Sequence, residues 1–304
     1  MANRQEYRKM TSLDQGFKTV VHDSDVLSWL IRSNVDEFKG RSIEEIKSCL
    51  KIGEDGHTVI GRDTELHSMD EGKIVTDSIF DVKIPDSDDE VSVIINIEGQ
   101  SDPNPGYPLG KRAEYYMARL VSSQKGIDFE NDDYSKLRKV YSIWYILRPK
   151  VNDMNTVVRY RMEATEIKGD PKILPVLDTF NIVMVNVGRY DSALPDCSAF
   201  PAALFSDMSI EERQKLISER FNIALDDVIL GEVNSVASLA EDTYRHGVKD
   251  GKAEARADMI NQYANTVIRL MNGENWSFDK VISYIDAPDD MKDEIEKTVN
   301  EKLN

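Results

Sequence analysis

The segment VSVIINI, residues 91–97, constrains this chain more than any other. Apolar residues fall on both alternating sets of positions, so a strand here must be covered on both faces. A strand of that kind lies in the middle of a sheet with packed layers on either side. It stops at Glu98, Gly99 and Gln100. A Pro/Gly-rich stretch, SDPNPGYPLG, then leads into the helical pattern KRAEYYMARLVSSQKG, which Gly126 closes at a C-cap position.

The flanking segments extend this plan. From Leu13 to about Leu50 apolar residues recur at helical spacing, interrupted at FKGRS, which predicts two helices. Ser42 with Glu45 three residues on forms a capping box for the second. HTVIG reads as a short first strand. KIVTDSIFDVKI, rich in β-branched residues, pairs as a hairpin with VSVIINI through the acidic loop PDSDDE. KVYSIWYIL reads as another buried strand and FNIVMVNVG as a further one. TVVRYRMEATEI alternates Val158, Tyr160, Met162 and Ala164 against Arg159, Arg161 and Glu163, a strand with one wet face. The order of helices, strands, a helix and more strands predicts an α/β core with a mixed sheet. Beyond about Phe205 the pattern is helical and charged, with Ser209 and Ser277 as N-caps. The expected organisation is a core over 1–204 and an α-helical C-terminal region over 205–304.

Composition narrows the classes of function. No run approaches the roughly 18 to 20 apolar residues of a membrane helix, and MANRQEYRKMTSLDQGFK lacks the apolar stretch of a signal peptide, so a soluble, cytoplasmic protein with no membrane partner is expected. Cys49 and Cys197 stand apart in no metal-binding or redox motif. The net charge of −17 argues against nonspecific coating of nucleic acid. That charge is unevenly spread: Lys51–Gln100 holds 4 basic against 13 acidic residues, a net of −9, whereas Lys111–Lys172 holds 13 basic against 9 acidic, a net of +4. A local basic face is therefore available.

Four histidines in no H-x-x-x-H pair, and the absence of G-x-S-x-G and G-x-G-x-x-G, remove the usual zinc-hydrolase, serine-hydrolase and dinucleotide signatures. Carboxylates at strand ends remain. Hairpin pairing can bring Asp81 and Glu98 to one sheet edge, where two charges about 4 Å apart repel by roughly 4 kcal/mol at an effective dielectric of about 20. A shared proton, an arginine or a divalent cation offsets such repulsion, and Mg²⁺ is held by one or two carboxylates plus water and phosphate oxygens. The bland alternative is that both are solvated or salt-bridged strand-end residues. Gly99 marks a bulge, which would turn Gln100 toward the site, or a close backbone approach. Arg112, Tyr116 and Arg119 share one helix face, suited either to phosphate and base contacts or simply to water, while Ala113, Met117, Leu120 and Val121 line the core side.

These residues carry a resemblance. FDVKI with its acidic loop, IINIEGQ, KRAEYYMARLVSSQKG and VYSIWYIL, preceded by LDQGFKTVV and NVDEFKGRSIEEI, resemble the bacterial PD-(D/E)XK nuclease family of transposase-like and recombination-promoting nucleases. The similarity runs from about Asp14 to Leu147, with GVKDGKAEA like the family's variable C-terminus. It implies a restriction-endonuclease-like α/β core, a mixed central sheet flanked by helices, and DNA endonuclease activity linked to recombination or mobile elements. It further implies Mg²⁺, with Mn²⁺ as a substitute, bound by Asp81 and Glu98. Gln100, where many relatives of the superfamily have lysine, would position water; Arg112 would stabilise phosphate charge. Arg112, Tyr116 and Arg119 would bind substrate, and Glu37, with Asp14 in reserve, would be the first-motif acid. Two rival readings keep the same scaffold: a catalytically weak or inactive binding module that oligomerises through its C-terminal helices, and an RNA-directed hydrolase.

Overall fold

The computed structural model describes residues 4–62, 65–68, 72–85, 92–102, 104–165, 167–169 and 177–303. The chain divides into two compact units, 1–243 and 244–304. Both contain part of one long helix.

In the first unit the chain opens with helices α1 (Arg4–Val21), α2 (Ser24–Asn34) and α3 (Ile43–Ser48). Asp23 caps α2, its carboxylate accepting from the backbone N–H groups of Asp25 and Val26, and Ser42 and Glu45 form the expected capping box on α3. Strands β1 (Glu65–Ser68) and β2 (Gly72–Val75) pair with each other. Strands β3 (Ser78–Lys83) and β4 (Ser92–Gln100) follow, then helix α4 (Leu109–Ser122), strands β5 (Val140–Ile146), β6 (Val157–Arg161) and β7 (Phe180–Asn186). Helices α5 (Asp196–Phe205), α6 (Ile210–Phe221) and the long α7 (Asp227–Glu274) lead to α8 (Phe278–Tyr284) and α9 (Lys292–Leu303).

Strands β3 to β7 form one mixed sheet in the order β3-β4-β5-β7-β6, with β4, β5 and β7 parallel and both edges antiparallel. The expectation of a mixed α/β sheet with VSVIINI inside is met. Side-chain alternation sends Val93, Ile95 and Ile97 into the large core with α1, α2 and α5, while Ile94 joins Ile79, Met117, Leu120 and Val140 under α4. The sheet is thus covered on both faces.

Several sequence expectations differ from this structure. KIVTDSIFDVKI is two strands in two sheets, because the chain leaves the β1–β2 hairpin before Ser78. HTVIG contributes only isolated bridges at Thr58 and Val59. All of PDSDDE but its proline, residues 86–90, lies outside the described residues. In β6 the exposed side is the apolar one: Val158 and Tyr160 face solvent, whereas Arg159 and Arg161 turn toward Asp36. Ion pairs to Asp36, at the start of the 3-10 turn Asp36–Phe38, override the simple apolar-inward rule at this edge strand. The compositional change near 205 also differs from the break between compact units at 243/244. Phe205, Ile217, Phe221, Leu230, Val233 and Val236 all enter the large core, so α5, α6 and the start of α7 complete the first unit.

In the second unit, Ile260, Ala264, Val267, Val281, Ile282, Ile295 and Val299 make a small core of their own, and Ser277 caps α8. Arg256 there pairs with Asp290 and Glu294. Among the described residues no helix is long and apolar enough to cross a membrane.

Candidate active site

The carboxyl ends of parallel strands are where open α/β sheets present functional groups, because the ladder stops there and side chains of neighbouring strands converge. Strand β4 directs Asn96, Glu98 and Gln100 toward the α4 side by its alternation. Ser78 pairs with Ile97, so Asp77, immediately before β3, stands opposite Glu98. The two are tied by crossed bonds: the Asp77 N–H donates to Glu98 Oε1 at 3.2 Å, and the Gly99 N–H donates to Asp77 Oδ2 at 2.9 Å.

Gly99 serves a close approach here. A Cβ at this position would lie 2.8 Å from the Phe17 ring, and the ladder continues unbroken to the Gln100–Ile146 pair, so there is no bulge. Gln100 still reaches the α4 side through ordinary alternation.

Glu98 is only 3% exposed. Burial, reinforced by the charge of Asp77, pushes its carboxyl up to about 8, and Arg112 opposes this only weakly. Asp77 is pushed up to about 6, again mainly by burial and then by the charge of Asp14. Asp14, on α1, is itself raised by desolvation, against the pull of Lys18 and Arg112. Three acids and two cations thus share one electrostatic neighbourhood.

Arg112, on the first turn of α4, is held on several sides. Its guanidinium lies 5.0 Å from the Tyr116 ring centroid and 5.4 Å from that of Trp144, and it donates to Tyr107 Oη at 3.2 Å and Gln100 Oε1 at 3.4 Å. Gln100 Nε2 donates in turn to the Asp102 carbonyl at 2.7 Å. The Gln100 amide therefore braces Arg112 and the backbone at Asp102, rather than standing ready to orient a water. Gly106, just before α4, has φ +87°, a left-handed conformation suited to glycine.

The donors at this site are all oxygen, which suits a hard cation such as Mg²⁺. Among the described residues no three His, Cys, Asp or Glu side chains gather as a metal-ligating group. Asp14 is therefore near enough to bias the charge of Asp77 but does not complete a three-carboxylate set. A buried and a half-buried carboxyl held opposite one another, with ionisation disfavoured in both, fit a cation that would complete its coordination with water and a phosphate oxygen.

Three sequence candidates fall elsewhere. Asp81 pairs with Ile94, four residues from Glu98 along the strand or about 13 Å at the usual rise. Its carboxylate takes Arg62 Nε and Arg138 Nη1, the latter at 2.8 Å, and both arginines also bind Asp128. It is a salt-bridged strand residue and does not share the Glu98 site. Glu37 sits at the amino-terminal end of β5, where Lys139 Nζ and Tyr141 Oη each donate to it at 2.7 Å. The reserve acid Asp14 lies at the site instead. Arg119 is buried and donates to Tyr115 Oη, two turns from Arg112, so the helix stripe is not a uniform substrate face. Tyr116 packs on Trp144 at 5.6 Å and acts through Arg112.

Asp77, Lys18, Tyr107 and Asn96 were not singled out from sequence. Asp77 sits inside what reads as one continuous strand, and its only local signal is a short acidic residue before Ser78 where two strands part. Comparisons with protein-family models, with curated proteins and with solved structures find no match to this chain.

Proposed function

We propose that this chain is a Mg²⁺-dependent nuclease acting on DNA, built on a restriction-endonuclease-like core. The observation that carries the reading is the pair Asp77 and Glu98: a half-buried and a buried carboxyl crossed at the ends of β3 and β4, both with ionisation disfavoured, beside an aromatic-clamped arginine. The resemblance of IINIEGQ and KRAEYYMARL to the PD-(D/E)XK nucleases agrees with it, once Asp77 takes the place first given to Asp81.

Asp77 and Glu98 would hold the cation, which when bound supplies Lewis-acid polarisation of a phosphodiester and a water of lowered pKa. Arg112 presents a fixed positive charge whose orientation is set by Tyr116, Trp144, Tyr107 and Gln100, so little reorganisation is needed to meet a phosphate oxygen. Lys18 and Arg112 restrain the negative potential of three clustered acids, which would otherwise repel a polyanion. Tyr107, 48% exposed, offers an aromatic surface beside the phosphate position.

The test is nicking of supercoiled plasmid by wild type, Asp77→Asn and Glu98→Gln in Mg²⁺. Wild-type nicking, lost by on the order of 100-fold or more in each variant at unchanged circular dichroism, is expected from removal of a group acting on transition-state charge. No nicking by wild type, or full activity in both variants, overturns the reading.

One observation favours the second reading, a weak or inactive binding module. The Gln100 amide is engaged on both sides by protein groups, and no lysine occupies that position. On that reading wild type does not nick, and the acidic surface and C-terminal helices recruit a partner or a second copy.

A further inference from the structure

We propose that Tyr107 and Tyr115 form a stacking surface for unpaired bases beside the carboxylate site, so that the substrate engaged there is a single DNA strand rather than an intact duplex. The proposal rests on the nuclease reading and adds to it the class of substrate.

Tyr107 stands one residue before Pro108, the N-cap of α4, is 48% exposed, and accepts at Oη a hydrogen bond from Arg112 Nη1 at 3.2 Å. Tyr115, within α4, is 47% exposed, and its Oη accepts from Arg119 Nη1 at 3.3 Å. A lone exposed aromatic residue is ordinary on a protein surface. These two differ in being restrained: a guanidinium holds each hydroxyl while the residue stays open to solvent. The backbone adds to the restraint at Tyr107, which lies between Gly106 in its left-handed conformation and a proline that confines the preceding residue to extended geometry. A ring already fixed in place loses little conformational freedom when a base stacks on it.

Arg112 connects the pair to the site. It bonds Tyr107 and precedes Tyr115 by three residues, which makes the two neighbours on the helix surface. A strand whose phosphate meets Arg112 thus passes two aromatic rings. Charge then separates strand from duplex. A protein that binds duplex through about 6–10 phosphate contacts draws its affinity from the counterions they release. This site sets Arg112 and Lys18 against Asp14, Asp77 and Glu98, Lys111 beside it is paired with Glu114 at 2.7 Å, and the whole chain carries −17. Stacking needs no such excess of positive charge, because every base has a π face. Bases in a duplex must first leave their own stack, a cost that an unpaired strand largely avoids. Negative supercoiling eases strand separation, so the plasmid remains a substrate on this reading.

The test measures binding of labelled oligo(dT), oligo(rU) and a DNA duplex of equal length by fluorescence anisotropy in Mg²⁺. The full-length chain carries Glu98→Gln, so that the strand is held uncut, alone or with Tyr107→Ala, Tyr107→Phe, Tyr115→Ala or Tyr134→Ala. Tyr134 is the control: it is 60% exposed, with Lys125 Nζ 5.5 Å from its ring centroid, in the connection after α4. Oligo(dT) is expected to bind about 10-fold more tightly than duplex, and each alanine at 107 or 115 to weaken it about 10-fold, the size of one lost base–aromatic stack. Tyr107→Phe keeps the ring and should stay within about 2-fold, as should Tyr134→Ala. Unchanged melting temperatures at these exposed positions separate lost binding from lost folding. Duplex binding as tight as that of oligo(dT), a preference for oligo(rU), unchanged affinity in both alanine variants, or equal losses in Tyr107→Phe and Tyr107→Ala each overturn the proposal, and plasmid nicking by wild type leaves the nuclease reading standing. Tyrosine-dependent oligo(dT) binding without nicking by wild type supports the surface and removes the nuclease; absence of both removes both.

Discussion

Asp77 and Glu98 face each other across the β3–β4 ladder, each carboxyl accepting a hydrogen bond from the backbone of the opposite strand segment, at 2.9 and 3.2 Å. The crossed bonds hold together two acids that would repel each other if both ionised. Nearby Asp81, on the same strand face, has a different occupation altogether.

That difference predicts opposite outcomes for two chemically identical substitutions. Asp77→Asn should abolish Mn²⁺ binding and plasmid nicking. Asp81→Asn should leave both within about 2-fold and instead lower stability by roughly 1 kcal/mol, since it removes ion pairs to Arg62 and Arg138 from a carboxylate 42% exposed. Metal titration and thermal melts of the two variants, side by side, check this.

Stability of the metal-free chain should fall as pH rises. Burial raises Glu98 from 4.5 to about 8 and Asp77 from 3.8 to about 6, so the folded chain keeps protons that the unfolded chain has released. The unfolded state then gains relative to the folded one from about pH 4 upward, and the loss levels off above about pH 8. Calorimetry should give a melting temperature that declines over this range and a Mg²⁺-induced rise larger at pH 8.5 than at pH 6. Glu98→Gln should flatten the profile; an unchanged slope in that variant would contradict the assignment.

Gly99→Ala should destabilise the first unit by about 1–3 kcal/mol, the usual cost of overpacking, because the added methyl would meet the fully buried Phe17 ring at 2.8 Å. In a Phe17→Leu background the same change should cost less. A double-mutant cycle by urea denaturation measures the coupling.

Two buried arginines should respond unequally to replacement by methionine. Arg148 donates to the carbonyls of Leu147, Phe205 and Ala237 and pairs with Glu241, so Arg148→Met strands several acceptors and should cost about 3 kcal/mol. Arg213, pushed down to about 10 by burial and by Arg148, donates to the carbonyls of Ser206 and Met208, and its Nε and Nη1 have no partner among the described residues. Arg213→Met should cost under about 1 kcal/mol or be neutral. Thermal denaturation of each variant separates the two.

Much of the fold is legible in local pattern. Both capping boxes, at Ser42/Glu45 and Ser209/Glu212, form as their spacing requires, because a cap involves residues within one turn. The two-sided apolar run at 92–97 lies inside the sheet, since only a central position covers both its faces. Arg112 reaches the Glu98 neighbourhood because α4 returns across the face that β4 presents to it. The misplaced residues share a different property. Glu37 and Arg119 are polar residues whose partners, Lys139, Tyr141 and Tyr115, are selected by packing, and nothing in the spacing of a carboxylate or a guanidinium identifies the partner it will find.

The case of Asp77 and Asp81 defines the division most clearly. By itself the sequence determined that a β-branched segment rich in acids pairs with a central strand ending in Glu98, because alternation and apolarity are properties of consecutive residues. Which aspartate stands opposite Glu98 was decided only by the tertiary structure. Alternation has a period of two, so Asp77, Ile79 and Asp81 all lie on one face, and a register shifted by four residues satisfies the same pattern. The departure of the chain from the β1–β2 hairpin before Ser78, and the packing of Gly99 on Phe17, select the register that places Asp77 at the sheet end and leaves Asp81 to its arginines.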